Sequence, residues 1–148
     1  MFMYESFVNN IINLDFDKAM LQISGLPLEK SGEIILKAAY DTESIVIYTF
    51  ACYLIEKGNF YYHRTAMELM IHVFQYIEGA YSTALYHLRC LCSDEPDNID
   101  NMEMLLFFWS IPEKLVSDEE ALSVSYKIIE CDPTNPAALD TISKICDL

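Results

Sequence analysis

The chain has 148 residues, 53% of them hydrophobic, and its 23 acidic and 9 basic residues give a formal net charge of −14. This length is typical of one globular domain, so we predict a single domain over residues 1–148, and the hydrophobic content excludes a disordered acidic tail. The charge disfavours direct contact with nucleic acid or anionic membranes and favours a basic protein partner, although acidity can also serve only to keep an apolar protein in solution.

Apolar residues recur three and four positions apart along almost the whole chain, and sustained period-two alternation is hard to find. With only four glycines and five prolines, this pattern predicts an all-α fold. In the first half of the chain we expect helices over about residues 2–13, 15–24, 28–40, 43–57 and 60–77. Asp41 and Thr42 are predicted to cap the fourth of these helices, and Gly58 to end it.

In the second half we expect helices over about residues 81–92, 101–110, 118–131 and 136–146. Ser117 is followed three residues later by Glu120, the spacing of a capping box that opens a helix. Asn135 and Pro136 predict the start of the last helix, because asparagine caps well and a proline at the first helical position needs no amide proton.

Two stretches of the second half resemble each other at an offset of 37 residues. Ala-Leu at 84–85 precedes Pro-Asp-Asn at 96–98, and Ala-Leu at 121–122 precedes Pro-Thr-Asn at 133–135 with the same spacing. In each copy an amphipathic helix runs into an acidic stop, a proline and an asparagine that can cap the next helix. The pattern describes a helical hairpin unit.

Residues 120–137, from Glu-Ala to Cys-Asp-Pro-Thr-Asn-Pro-Ala, resemble the second helix and the stop of the tetratricopeptide repeat (TPR) family. The likeness extends in part to the unit at 84–85, which is the C-terminal third to half of the chain. The offset departs from that family's period of about 34 residues, and the glycine and aromatic signature of its first helix is not cleanly present. The resemblance implies antiparallel helical hairpins stacked as a short TPR-like solenoid or bundle.

Motifs of common enzymes are missing from the sequence: it has no glycine-rich phosphate loop, no Gly-x-Ser-x-Gly elbow and no His-Glu-x-x-His helix. Cys90 and Cys92 lie about 200° apart around a helix, too divergent for one metal ion. We therefore expect no catalytic residue, no cofactor and no metal, and we interpret His63, His72 and His87 as packing residues.

Five cysteines in no regular framework and an acidic N-terminus without the basic start of a secretory signal predict a cytoplasmic protein. The longest apolar run, residues 45–55, is about half of the ~20 residues that a membrane span needs. It is interpreted as part of a buried helix.

Residues 94–120, here called the acidic segment, carry nine carboxylates against the single cation Lys114, a local net charge of −8. Within the acidic segment, residues 104–109 are apolar all round the helix, so one side must be buried or exposed as a sticky patch. Phe107 and Trp109 are either core residues or, for Trp109 or Phe108, an interface anchor surrounded by acid.

The leading hypothesis is an acidic inhibitor that masks a basic enzyme. In size and acidity the chain looks like the helical immunity proteins that bacteria keep in the cytosol to neutralise the nuclease domain of a polymorphic or contact-dependent toxin, which implies a cognate toxin domain as the partner. The alternative is a TPR-like adaptor or secretion chaperone that binds an extended peptide. The predicted partner-binding residues are Asp94, Glu95, Asp97, Asp100, Glu103, Trp109, Glu113, Asp118, Glu119, Tyr62, Glu68 and Tyr86.

Overall fold

The computed structural model describes residues 1–147, and within that range it contains helices and no strand. The all-α prediction is therefore confirmed. The helices are α1 (Tyr4–Ile12), α2 (Phe16–Ile23), α3 (Leu28–Thr42), α4 (Val46–Glu56), α5 (Tyr62–His72), α6 (Ala80–Asp94), α7 (Ile99–Ser110), α8 (Asp118–Cys131) and α9 (Pro136–Cys146). Neighbouring helices pack in hairpin-like contacts, as expected of a helical bundle or solenoid.

Contacts divide the chain into two compact units, Met1–His87 and the residues from Leu88 onward, and α6 contributes residues to both. The prediction of one domain over residues 1–148 stays a prediction, and its last residue lies outside the described range. None of the helices in residues 1–147 is long and apolar enough to cross a membrane.

The core of the first unit contains an aromatic cluster. The rings of Phe7 in α1 and Phe16 in α2 lie 5.8 Å and 5.4 Å from the ring of Phe50 in α4, and Phe7 and Phe50 are fully buried. α3 packs on α4 and α5. A Cβ added at Gly32 would lie 3.1 Å from the Thr65 hydroxyl, so glycine permits the close approach of α3 and α5.

In the second unit α7, α8 and α9 pack on one another. The two stretches that are related by 37 residues in the sequence make equivalent hydrogen bonds in the structure. Asn98 caps α7 by accepting from the amide of Asn101 at 2.9 Å, and Asn135 caps α9 by accepting from the amide of Ala138 at 3.0 Å. Each asparagine also donates its side-chain amide to the acid three residues before it: Asn98 to Glu95, and Asn135 to Asp132. The two hairpin units therefore share one local structure at both stops.

The predicted start of α8 is confirmed, because the Ser117 hydroxyl accepts from the amide of Glu120 at 3.1 Å. In a complete capping box the Glu120 side chain would also accept from the backbone amide of Ser117, but here it contacts another residue. Both carboxylate oxygens of Glu120 accept from Arg89.

Two predicted boundaries were wrong. Asp41 and Thr42 end α3 instead of capping α4, and the turn that follows is held by the Thr42 and Ser44 hydroxyls, which accept from the amides of Ser44 and Val46. The fifth helix ends at His72 instead of near residue 77, because the chain turns there and buries Phe74 completely.

Candidate protein-binding site

Negative charge is concentrated in the second unit. From Leu88 onward the sequence has 13 acidic and 4 basic residues, a net charge of −9, whereas residues 1–87 have 10 acidic and 5 basic residues, a net charge of −5. The second unit is the shorter of the two, so its charge density is more than twice as high. A cationic partner would be attracted mainly to this unit.

Six carboxylates of the acidic segment are exposed and form no ion pair with any cation in residues 1–147. They lie at the end of α6, in the α6–α7 turn, in the first turns of α7 and α8, and in the α7–α8 connection. Carboxylates in this state can accept charge-assisted hydrogen bonds from lysine or arginine side chains of another molecule. The six residues are Asp94, Glu95, Asp97, Asp100, Glu113 and Glu119.

Asp118, another predicted binding residue, is engaged within the chain. Its Oδ1 accepts from the indole Nε1 of Trp109 at 2.8 Å and lies 2.8 Å from the Nζ of Lys114. The hydrogen bond from Lys114, followed by that from Trp109, lowers the pKa of the Asp118 carboxyl. Asp118 therefore orients Trp109 at the α7–α8 connection and carries less free charge than its neighbours.

Two further carboxylates of the acidic segment also have partners in the chain. Arg89 Nη1 and Nη2 donate to Glu120 at 2.8 Å and 3.0 Å, and this pairing lowers the pKa of Glu120. Glu103 accepts from the Asn135 side-chain amide at 2.7 Å, which joins α7 to the start of α9. Both residues support the fold of the unit.

The aromatic residues of the acidic segment separate into core and boundary positions. Phe108 is fully buried, so it serves as a core anchor and the interface role considered for it is wrong. Phe107 and Trp109 are half-buried. Since the polar atom of Trp109 already donates to Asp118, its partly open ring offers apolar contact area beside the exposed carboxylates.

The other three predicted residues lie in the first unit. Tyr62 is only 3% exposed and belongs to the core, so its ring is inaccessible to a partner in this structure. Glu68 is half-buried, with its Oε1 3.3 Å from Arg64 Nε. Tyr86 is 61% exposed. The structure thus groups the predicted residues of the second unit on connected elements and leaves these three outside that group.

His63 and His87 are buried, as their interpretation as packing residues requires, whereas His72 is exposed and that interpretation of it was wrong. The sequence analysis missed the hydrogen bonds that join the two buried histidines in one polar chain. The Nδ1 atoms of His63 in α5 and His87 in α6 are 2.9 Å apart, and the Nε2 of His87 is 2.8 Å from the hydroxyl of Tyr48 in α4. A weak signal was available. In the sequence His87 lies three residues after Ala84 and His63 three residues before Ala66, so the helical period places each imidazole on the same face as a small apolar residue, and the structure buries both alanines.

The fold and the site define an all-α protein of packed helical hairpins with an acidic, partly aromatic surface segment. Among residues 1–147, no group of three or more His, Cys, Asp or Glu side chains is arranged to hold a metal ion. Comparison with protein-family models, curated proteins and solved structures found no match to this chain.

Proposed function

We propose that the chain is a cytoplasmic, non-enzymatic inhibitor, an immunity protein that neutralises a cognate basic nuclease toxin by masking its active site. The six exposed carboxylates of the acidic segment that form no ion pair within residues 1–147 carry the proposal. A nuclease holds phosphates with lysine and arginine side chains, and a group of exposed carboxylates competes for the same cations. The half-buried ring of Trp109 would add apolar contact and slow dissociation.

Binding of this kind requires little rearrangement of the acidic segment. Asp97 lies in the α6–α7 turn fixed by the Asn98 cap, and Glu119 lies in the first turn of α8 fixed by the Ser117 cap. Because the backbone at these positions is already fixed, binding would cost mainly the freedom of the side chains. The packed hairpins therefore serve as a rigid support for the charges.

The test is a charge-neutralised variant assayed against a basic nuclease domain that the native chain is first shown to bind, sought among the proteins encoded beside it. We would replace four exposed carboxylates, with the substitutions Asp97→Asn, Asp100→Asn, Glu113→Gln and Glu119→Gln. We expect the dissociation constant to rise about 10- to 100-fold and inhibition of nucleic acid cleavage to weaken accordingly.

A matched control removes the same charge from exposed carboxylates of the first unit, with the substitutions Glu5→Gln, Glu29→Gln, Glu43→Gln and Glu56→Gln. Affinity should fall less than about threefold in this control, because the net charge changes equally while the acidic segment stays intact. Equal losses in both variants would contradict a local site. Thermal unfolding of both proteins checks that each is folded.

The alternative function, a TPR-like adaptor or secretion chaperone, is favoured by the repeated asparagine caps of the second unit and by exposed tyrosines. Tyr40, Tyr76 and Tyr86 are 58%, 71% and 61% exposed. Tyrosine suits peptide recognition because it combines apolar area with a polar tip. Replacement of these three tyrosines by serine would then abolish binding of an extended peptide, whereas the charge-neutralised variant would bind it normally.

A further inference from the structure

The histidine pair of the first unit, His63 and His87, is buried where three helices meet. The two residues are 7% and 3% exposed, and their Nδ1 atoms face each other at 2.9 Å. The second nitrogen of His87 bonds the Tyr48 hydroxyl at 2.8 Å. This chain of hydrogen bonds joins α6 to both α4 and α5.

The short distance between the two Nδ1 atoms limits the protonation states that the histidine pair can adopt. One proton can lie between the two Nδ1 atoms, donated by either imidazole to the other. When His87 donates it, its Nε2 accepts from Tyr48; when His63 donates it, the Nε2–H of His87 donates to Tyr48. One added proton still fits, because an imidazolium His87 can donate from Nδ1 to His63 and from Nε2 to Tyr48, although its charge is then buried. Two imidazolium rings would each place a proton between the same two nitrogens, so the doubly charged pair requires the two rings to separate.

Within residues 1–147, the groups in contact with the pair provide no compensating negative charge. The titratable groups in contact with the pair are Tyr48 of α4, which bonds His87, and Tyr86 of α6, whose ring lies beside both imidazoles. Cys52 of α4 acts on Tyr48, and none of these three groups is a carboxylate. Burial raises the pKa values of Tyr48 and Cys52, which keeps both neutral. Burial also lowers the pKa of His63 and, with the repulsion of His63, lowers that of His87 to about 4.

We propose that the histidine pair is a pH-sensitive contact that holds α6 on α4 and α5 at neutral pH and releases it on acidification. Because the pKa of His87 is lower in the folded chain than in the unfolded chain, the unfolded chain binds more protons between these two values. Stability from the neutral pair is therefore fully present above the ordinary histidine range and is lost as pH falls towards 4. This pH response is independent of whether the chain is an inhibitor.

The experiment measures unfolding by denaturant at about pH 7 and pH 5. Most carboxyl groups have pKa values below this range, so they stay ionised throughout. For the native chain we expect His87 to raise the unfolding equilibrium constant about 20-fold over this interval. His87→Gln, which keeps a polar group near Tyr48, should lose most of that rise. His63→Asn, which keeps a polar atom at the position of Nδ1, should lose part of it and serves if the first variant does not fold.

The control is His72→Gln, which changes an exposed histidine at the end of α5 and should retain most of the rise. Hydrogen exchange corrected for intrinsic rates locates the change: amides 84–88 of α6 should lose protection on acidification before amides 34–39 of α3. Parallel loss of stability in the native chain and in both pair variants would overturn the proposal. So would α6 amides that stay as protected as those of α3.

Discussion

Single polar side chains fix the two stops of the second unit. Asn135 is 4% exposed and makes three bonds from one side chain: it accepts from the amide of Ala138 and donates to Glu103 and Asp132. Asn98 makes the equivalent cap and one bond to Glu95. The same residue type therefore has the same local role at both stops but a larger tertiary role at the second.

Asparagine-to-alanine substitutions should show this difference. Asn98→Ala removes a cap and should lower the free energy of unfolding by about 1 kcal/mol. Asn135→Ala also leaves a half-buried Glu103 without its partner and should cost about 2–3 kcal/mol. Denaturant unfolding measures both values, and equal losses would mean that the bond to Glu103 contributes nothing.

A buried hydroxyl in α8 gives a prediction of opposite sign. Ser125 is fully buried, and its Oγ has no hydrogen-bond partner in residues 1–147. An unsatisfied buried hydroxyl costs about 1–3 kcal/mol, and alanine is the better helix former. Ser125→Ala should therefore raise the free energy of unfolding by about 1 kcal/mol. A destabilised variant in calorimetry would show that the hydroxyl has a role in the fold.

At the scale of helices, glycine determines how α4 ends. Gly58 has a φ of +100°, and its amide donates to the carbonyl of Ile55. Gly25 follows α2 with a φ outside the left-handed region, and no atom lies within 4 Å of an added Cβ. The two glycines are therefore a matched pair in which only one position restricts the backbone.

Gly58→Ala should lower the free energy of unfolding by about 1–2 kcal/mol, because a side chain disfavours a positive φ. Gly25→Ala should be neutral or stabilise by up to about 1 kcal/mol, since alanine reduces the entropy of the unfolded chain. Thermal unfolding of the two variants checks the difference. Equal effects would indicate that Gly58 needs no special conformation.

Most helices could be predicted from local signals, and the failures have a tertiary cause. The starts of α8 and α9 were found because Ser117 and Asn135 satisfy amides of their own helix. The end of α5 was missed because the chain turns to bury Phe74, which no neighbour in sequence specifies.

The same distinction between local and tertiary signals applies to the candidate site. Exposed acids such as Asp97 follow from composition, whereas the burial of Tyr62 and the 2.9 Å contact of His63 with His87 depend on how separate helices pack.

For the whole molecule, charge is divided unevenly between two compact units, with −9 in the second and −5 in the first. Three of the four cations in the second unit are paired with carboxylates of the same chain, at Glu120, Asp118 and Asp140. These pairs stabilise the unit only slightly because they are largely exposed. The remaining carboxylates keep the unit strongly anionic, which is the property that the proposed inhibitor requires.

The most direct test of that property is the affinity of the chain for a basic nuclease domain that it is shown to bind, measured at about 50 and 500 mM salt. If the exposed carboxylates of the acidic segment provide the binding energy, the dissociation constant should rise about 100-fold over this range, mostly through slower association. A dissociation constant that stays nearly unchanged would contradict masking by charge.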